Sequence, residues 1–395
     1  MRLRRGRLFS SADFENTLKD EIMGRRRVAV VGGVRTPFVK SGKAFANIGP
    51  LDLAKYSVTG LIKKNDVDPQ AIESLVYGVV VPEKGKPNLA REIILESDLP
   101  NDIEAQTLSS YCITGLRAVT AVVEGIANGR LECGIAGGVE WLSGAQVETF
   151  QEPSTGLSMG QHGEMMCQKW NIPRAKQDEL AVMSHRKAVA SRDLLSQEIV
   201  AVKDVHCDSG PRPDTSTELL SGLRTVFDKD GSLTAGNSSP VSDGASAVLL
   251  MSEERAKLEG REALAFIRAM EYAAINPRDG LLMAPAVAVP SILKRCSLTL
   301  SDLDLIEIHE AFSAQVLANV WAWEQGWRAN PLGPLDWDKI NVNGGSVAIG
   351  HPWSATGGRI LTTLANEMYR RDVNYGLISI CAAGAMAGAF VLERS

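Results

Sequence analysis

The chain has 395 residues, 42 Lys plus Arg against 47 Asp plus Glu, a formal charge of -5 and 45% apolar residues. That is enough material for two or three domains with a large buried core, and it excludes a disordered chain. The slightly acidic balance gives no footprint for nucleic acid or anionic membrane, and no apolar run reaches the roughly 18 residues of a membrane-spanning helix.

The opening MRLRRGRLFSSADFENTLKDEIMGRRR is arginine-rich without the apolar stretch of a secretory signal, and Asp13, Glu15, Asp20 and Glu21 speak against a transit peptide. Residues 1–27 are therefore expected to form a disordered extension. Short apolar runs follow at Val28 to Val31, Leu75 to Val81, Gln106 to Ser109 and Cys133 to Ala136, with a helical pattern at Thr114 to Asn128 between the last two. Strands alternating with helices imply an α/β sheet covered on both faces.

From about Ser143 to Gly236 charge and proline rise, and Arg174 to Arg192 reads as an amphipathic helix, so this stretch is expected to be an insertion with its own surface. His162, His185 and His206 fall in it without metal-like spacing and are expected at the surface. The alternation resumes with strand Leu305 to Ile308, helices Ser313 to Gln325 and Ser354 to Arg370, and strand Gly376 to Ile380. SSYCITGLRAVTAVVEG around Cys112 and LISICAAGAMAGAFVLE around Cys381 share one plan, which predicts a duplicated αβ unit with one cysteine per copy.

Six cysteines at 112, 133, 167, 207, 296 and 381 contain neither a disulfide framework nor a CxxC pair, which points to free thiols in a reducing, cytoplasmic setting and to no metal site. Cys112 sits where a strand gives way to a helix. The unpaired amides and positive dipole end there are expected to lower its thiol pKa from about 8.5. The plain alternative is a small buried hydrophobe. His351, between Gly350 and Pro352, is held on a tight loop as a general base must be. His309, in IEIHEAFSAQ, lies at the C-terminal end of a strand, where open α/β sheets gather ligand-binding residues, or else merely ties strand to helix. Glu310 beside it is expected to orient rather than react. VVGGVRTPF lacks GxGxxG, and no GxxxxGK[ST] occurs, so no dinucleotide or phosphate loop is supported.

These residues resemble the thiolases, the degradative 3-ketoacyl-CoA branch in particular, over nearly all of residues 28–395. The likeness rests on VRTPF, Cys112 with ITG, GGVEWLS, TAGNSSPVSDGASA, HEAF, NGGSVAIGHP and CAAGAMAG in the family's order. It implies duplicated halves in a five-layered α-β-α-β-α core: a first half of residues 28–142 plus 237–262, an inserted CoA-binding loop domain of 143–236, and a second half of 263–395. It implies Cys112 as acylated nucleophile, His351 as its base and Cys381 as second acid/base. One oxyanion site would use His351 with His309, the other the backbone amides of Cys112 and Ala383. Arg212, Ser239 and Met159 would contact CoA, which is a substrate rather than a resident cofactor.

A homodimer or homotetramer is implied, while a partner α subunit is left open because only Leu142 to Leu157 separates GGVEW from SMG. The run after Cys381 carries Ala383, Ala385 and Ala387 where glycine is usual; alanine serves an amide hole at negative φ and is strained at positive φ. The competing functions are a decarboxylating ketosynthase of the same fold, a biosynthetic acetoacetyl-CoA thiolase, and a non-catalytic acyl-CoA or lipid binder. Cys381 argues against the first, since decarboxylation needs no second thiol, and the intact Cys112, His351 and Cys381 argue against the last.

Overall fold

A computed structural model describes residues 26–145 and 150–394. Of the expected 1–27 extension, Arg26 and Arg27 are inside it and the rest lies outside the described residues. Arg26 pairs with Glu132, and Arg27 with Glu253 and Glu393.

The first half runs β1 (Val28–Arg35), β2 (Val39–Lys40), α1 (Pro50–Lys64), β3 (Ser74–Gly78), α2 (Leu89–Leu95), β4 (Glu104–Leu108), α3 (Thr114–Ala127) and β5 (Cys133–Glu140). Its helices form for local reasons. In α1, Pro50 takes the first turn, Leu51, Ala54, Val58, Leu61 and Ile62 recur at helical spacing and are buried, and Lys63 and Lys64 sit at the negative end. The connecting segment carries β6 (Gln151–Glu152), β7 (Leu157–Ser158), α4 (Met159–Lys169) and α5 (Arg174–Ala190). Then come β8 (Ser242–Ser252), β9 (Ala265–Ala274), α6 (Pro285–Cys296), β10 (Leu305–Ile308), α7 (Ser313–Gln325), α8 (Trp353–Arg371), β11 (Tyr375–Ala382) and β12 (Met386–Glu393).

Strand alternation sorts the core into layers. On β1, Val28 and Val30 face a central layer shared with α3 and α8, whereas Ala29, Val31 and Val34 face an outer layer with α1 and α2. On β11, Ile378 and Ile380 face the same central layer, and Leu377 and Cys381 face an outer layer with α6 and α7. The result is the expected five-layered α-β-α-β-α core, with both faces of each half's sheet buried.

The order is β4-β3-β5-β8-β1 in the first half and β10-β11-β12-β9 in the second, joined where Ala29 and Val30 meet Phe266 and Ala265. Ile340 adds a parallel bridge to Ile306 of β10, outside β10's edge. Each half therefore repeats two parallel and two antiparallel neighbours in the same sequence.

This duplication has a different register from the one the cysteines suggest. Cys112 lies between β4 and central helix α3, and the equivalent place in the second half, after the Ile340 bridge and before α8, holds His351. Cys381 lies in β11, whose counterpart is β5. A shared strand-cysteine-small-residue texture was matched between elements that are not equivalent, because small residues are required wherever backbones crowd the central layer. Gly115 of α3 and Gly357 of α8 are such places. A Cβ on Gly115 would meet the Ser354 carbonyl oxygen at 2.6 Å, and one on Gly357 would meet the Leu116 nitrogen at 2.7 Å. The two central helices thus touch backbone to backbone, which brings their N-terminal ends together.

In the connecting segment, α5 ends two residues before the expected Arg192. His206 is exposed as expected, but His162 and His185 are buried, at 2% and 6% exposure. Each turns inward because one ring nitrogen is satisfied: His162 Nε2 pairs with Thr155 Oγ1 at 2.7 Å, and His185 Nδ1 accepts the Arg212 N–H at 3.2 Å. Among the described residues no helix is long and apolar enough to cross a membrane.

Candidate active site

Cys112 sits in a single 3₁₀ turn, Tyr111–Ile113, at the head of α3. Tyr111 before it adopts φ 51°, a left-handed conformation that costs a non-glycine residue energy, and the Thr114 hydroxyl oxygen accepts the Ser110 N–H at 2.7 Å to hold the turn. Cys112 as a residue is of intermediate exposure, while its thiol is buried.

His351 arrives from the other half. Gly350 at φ 118° lets the chain turn beside Ser242, and the His351 N–H donates to Ser242 Oγ at 3.3 Å. The ring is then pinned at both nitrogens, with Nδ1 2.7 Å from Thr356 Oγ1 and Nε2 3.2 Å from Cys112 Sγ. His309 follows β10, its N–H donating to the Ser379 carbonyl at 2.8 Å and its Nδ1 lying 2.9 Å from Ser346 Oγ. The two imidazole centroids are 4.1 Å apart, and ligand-capable atoms of Cys112, His309 and His351 all lie within 4.8 Å of one another.

The electrostatics correct one expectation. Burial pushes the Cys112 thiol up to about 12, against the amides of Ala383 and of Cys112 itself, which pull it down. Burial, with the Arg359 charge, lowers His351 to about 3. Desolvation outweighs the helix-end effect, so the site holds a neutral thiol beside a neutral imidazole rather than a thiolate. Burial, with the charges of His351 and Arg359, also lowers His309 well below its ordinary value. Cys381, at the end of β11, is raised well above its ordinary value by burial first and then by the nearness of the Cys112 thiol, since two thiolates there would repel.

The β11–β12 turn supplies the amide at Cys112. Ala383 keeps a negative φ, while Gly384 and Ala385 take φ 72° and 54°. Glu152 of β6 accepts the Gly384 N–H at 3.2 Å, tying the turn to the connecting segment. Glu310 orients, as expected: its carboxylate accepts the Ser184 hydroxyl at 2.7 Å, the Asn341 amide at 2.6 Å and the Val347 N–H at 3.1 Å, and so fixes the loop before His351.

Comparison with known proteins gives the arrangement its family. The N-terminal domain of thiolase matches residues 28–157 and 145–254, and the C-terminal domain of thiolase matches 261–394. The chain belongs to the thiolase family. The 3-ketoacyl-CoA thiolases of Shewanella piezotolerans (strain WP3 / JCM 13877) and Shewanella frigidimarina (strain NCIMB 400) are each 38% identical to it, over 93% of this chain and 97% of theirs. Among thiolase structures, that of the Bacillus anthracis acetyl-CoA acetyltransferase superposes with TM-score 0.86 at 31% identity, covering 93% of this chain and 99% of its own. Human mitochondrial 3-ketoacyl-CoA thiolase in complex with CoA superposes with TM-score 0.86 at 29% identity, covering 94% and 98%.

The remaining residues expected from the thiolase likeness are spread. Met159 opens α4 behind a Ser158–Gln161 capping box and packs against the second half's outer core. Ser239 donates its N–H to the Ala311 carbonyl at 3.0 Å, beside His309 and Glu310. Arg212 is exposed, and its backbone is tied to His185. Thr356, Ser346 and Arg359 are not singled out from the sequence, although Ser346 lies in NGGSVAIGHP and Thr356 and Arg359 follow His351 within eight residues. Their hydroxyl or guanidinium groups, placed among glycines and alanines, were the available signal.

Proposed function

We propose that the chain catalyses CoA-dependent thiolytic cleavage of 3-ketoacyl-CoA to acetyl-CoA and a shortened acyl-CoA, with the acyl group carried on Cys112. The observation that carries the reading is the 3.2 Å contact between Cys112 Sγ and His351 Nε2, in a chain of the thiolase family.

Cys112 Sγ attacks the 3-keto carbon as its proton passes to His351 Nε2. The C2–C3 bond breaks, and its electron pair becomes the enolate of acetyl-CoA. Cys381, whose raised pKa keeps it a thiol, protonates C2. Its thiolate then deprotonates incoming CoA, whose sulfur attacks the acyl carbon and expels Cys112, which recovers its proton from His351. Because thiol and imidazole begin neutral in a dry site, the charge pair forms only as the bond forms, where oxyanion donors act on it; one such donor is worth about 3 kcal/mol. Amides of Cys112 and Ala383 serve the acyl oxygen, and His309 with His351 the thioester oxygen. Met159, Ser239 and Arg212 hold CoA.

The protein works as a homodimer or homotetramer in a reducing compartment, the cytoplasm. Among the described residues β4 ends the first half's sheet, a strand suited to pairing with a second copy. A second reading, acetoacetyl-CoA as the main substrate, draws on the likeness to an acetyl-CoA acetyltransferase. A panel of 3-ketoacyl-CoA substrates of increasing length separates the two: cleavage confined to the four-carbon substrate favours the second. Cys381→Ala is expected to accept an acyl group yet fail to exchange the α-protons of acetyl-CoA; normal exchange would assign that base elsewhere.

A further inference from the structure

We propose that Ser346 and Arg359 are positioning residues that hold His309 in the tautomer with its proton on Nε2, so that His309 enters the reaction as a hydrogen-bond donor to substrate oxygen. This rests on the acyl-transfer reading of the same site.

The direction of each hydrogen bond follows from what the groups can do. Arg359 is fully buried and its guanidinium only donates. Its Nη2 lies 3.0 Å from Ser346 Oγ, so it takes one lone pair of that oxygen. Ser346 is itself without exposure, and among the described residues its one hydroxyl hydrogen has a single remaining hydrogen-bond partner, His309 Nδ1 at 2.9 Å. Ser346 therefore donates and Nδ1 accepts. In the reverse arrangement Nδ1–H and Arg359 both donate to Ser346 Oγ, which leaves both the hydroxyl hydrogen and the Nε2 lone pair buried without partners. The first arrangement leaves only the Nε2–H, aimed at the reacting group, so it has one unsatisfied group fewer.

A neutral His309 then carries its proton on Nε2. That nitrogen is buried and has no hydrogen-bond partner among the described residues. It belongs to the group formed with Cys112 and His351. His351 requires the opposite state: to take a proton from Cys112 at Nε2 it must carry its own on Nδ1, toward Thr356 Oγ1. Two imidazoles 4.1 Å apart are thus set to complementary tasks by different hydroxyl neighbours, one as base and one as donor. Glu307, 3.4 Å from Arg359 Nη1, holds the guanidinium in place.

The decisive experiment is nitrogen-15 NMR of histidine-labelled protein, with His309→Asn to assign the resonance. His309 is expected to show a protonated Nε2 and a bare Nδ1; a protonated Nδ1 overturns the proposal. This readout needs no turnover, so it is distinct from failure of the proposed reaction, which would appear as absence of acylation at Cys112. Kinetics give the second arm. Ser346→Ala is expected to lower kcat for thiolysis about ten- to hundredfold, with KM within about twofold and Cys112 alkylation by iodoacetamide unchanged. Ser346→Thr, which keeps the hydroxyl, is expected to recover most of kcat. Equal kcat in wild type and Ser346→Ala, or an equal loss in both variants, overturns it.

Discussion

The ends of the two central helices occupy equivalent places in the two halves yet are built differently. At the head of α3 the chain offers Cys112, partly covered, behind a left-handed Tyr111 that is itself 38% exposed. At the head of α8 it offers His351, buried and bonded at both ring nitrogens. One end keeps some exposure and the other is locked. The difference shows how a duplicated scaffold yields a nucleophile and its base: the repeat supplies two helix ends that meet, and only the residues around each decide which partner moves.

The largest effect is expected from unlocking the second end. His351→Ala removes the proton acceptor and should lower kcat by about 10²- to 10⁴-fold while the fold persists. Stopped-flow thiolysis checks it, and a loss under tenfold would mean that another base serves Cys112. Next is the meeting of the helices. Gly115→Ala places a Cβ against the backbone of α8. It should destabilise the protein by about 1–3 kcal/mol in urea unfolding and lower kcat on the order of 10²-fold by separating Sγ from Nε2. Unchanged kcat would show that the glycine contact does not position the pair.

The open end has a pH signature. With its thiol raised to about 12, Cys112 in the empty enzyme gains thiolate steadily as pH rises. Alkylation by iodoacetamide should therefore quicken from pH 6 to 9 without a plateau. A plateau beginning below pH 7 would reveal a resting thiolate–imidazolium pair instead.

The smallest effect concerns the turn that faces Cys112. Ala385→Gly relieves a left-handed alanine, worth about 1–2 kcal/mol. It also loses a buried methyl, about 0.8 kcal/mol, and adds unfolded-chain freedom, about 0.5–1 kcal/mol. Stability should stay within about 1 kcal/mol of the parent in urea unfolding, and a larger change in either direction would show that one of these contributions is misjudged.

Much of the fold was legible because it is written in local periodicity. Strand Leu305–Ile308 and helix Ser313–Gln325 have the bounds their apolar spacing predicts; alternation of strands and helices implied a sheet covered on both faces, and the resemblance to the thiolases implied the five layers. Loop chemistry at strand and helix ends singled out Cys112, His309 and His351 one by one, and their gathering was implied by the resemblance to the thiolases. What stayed hidden depends on three-dimensional neighbours. The Cys112–Cys381 echo misplaced the repeat, since His351 is the positional partner and shares no side-chain chemistry with Cys112. The sign of the thiol shift was missed because burial is a sum over both halves, whereas the helix end is visible in one. His162 and His185 were placed outside because a polar letter does not reveal that one hydrogen bond suffices to bury it.

The most direct measurement is a single turnover without free CoA. Mixed with excess 3-ketoacyl-CoA, the protein should release one acetyl-CoA per chain and retain the shortened acyl group on the peptide bearing Cys112, detected by mass spectrometry; Cys112→Ala should do neither. Acetyl-CoA release without an adduct on Cys112, or full activity in Cys112→Ala, would contradict the assignment.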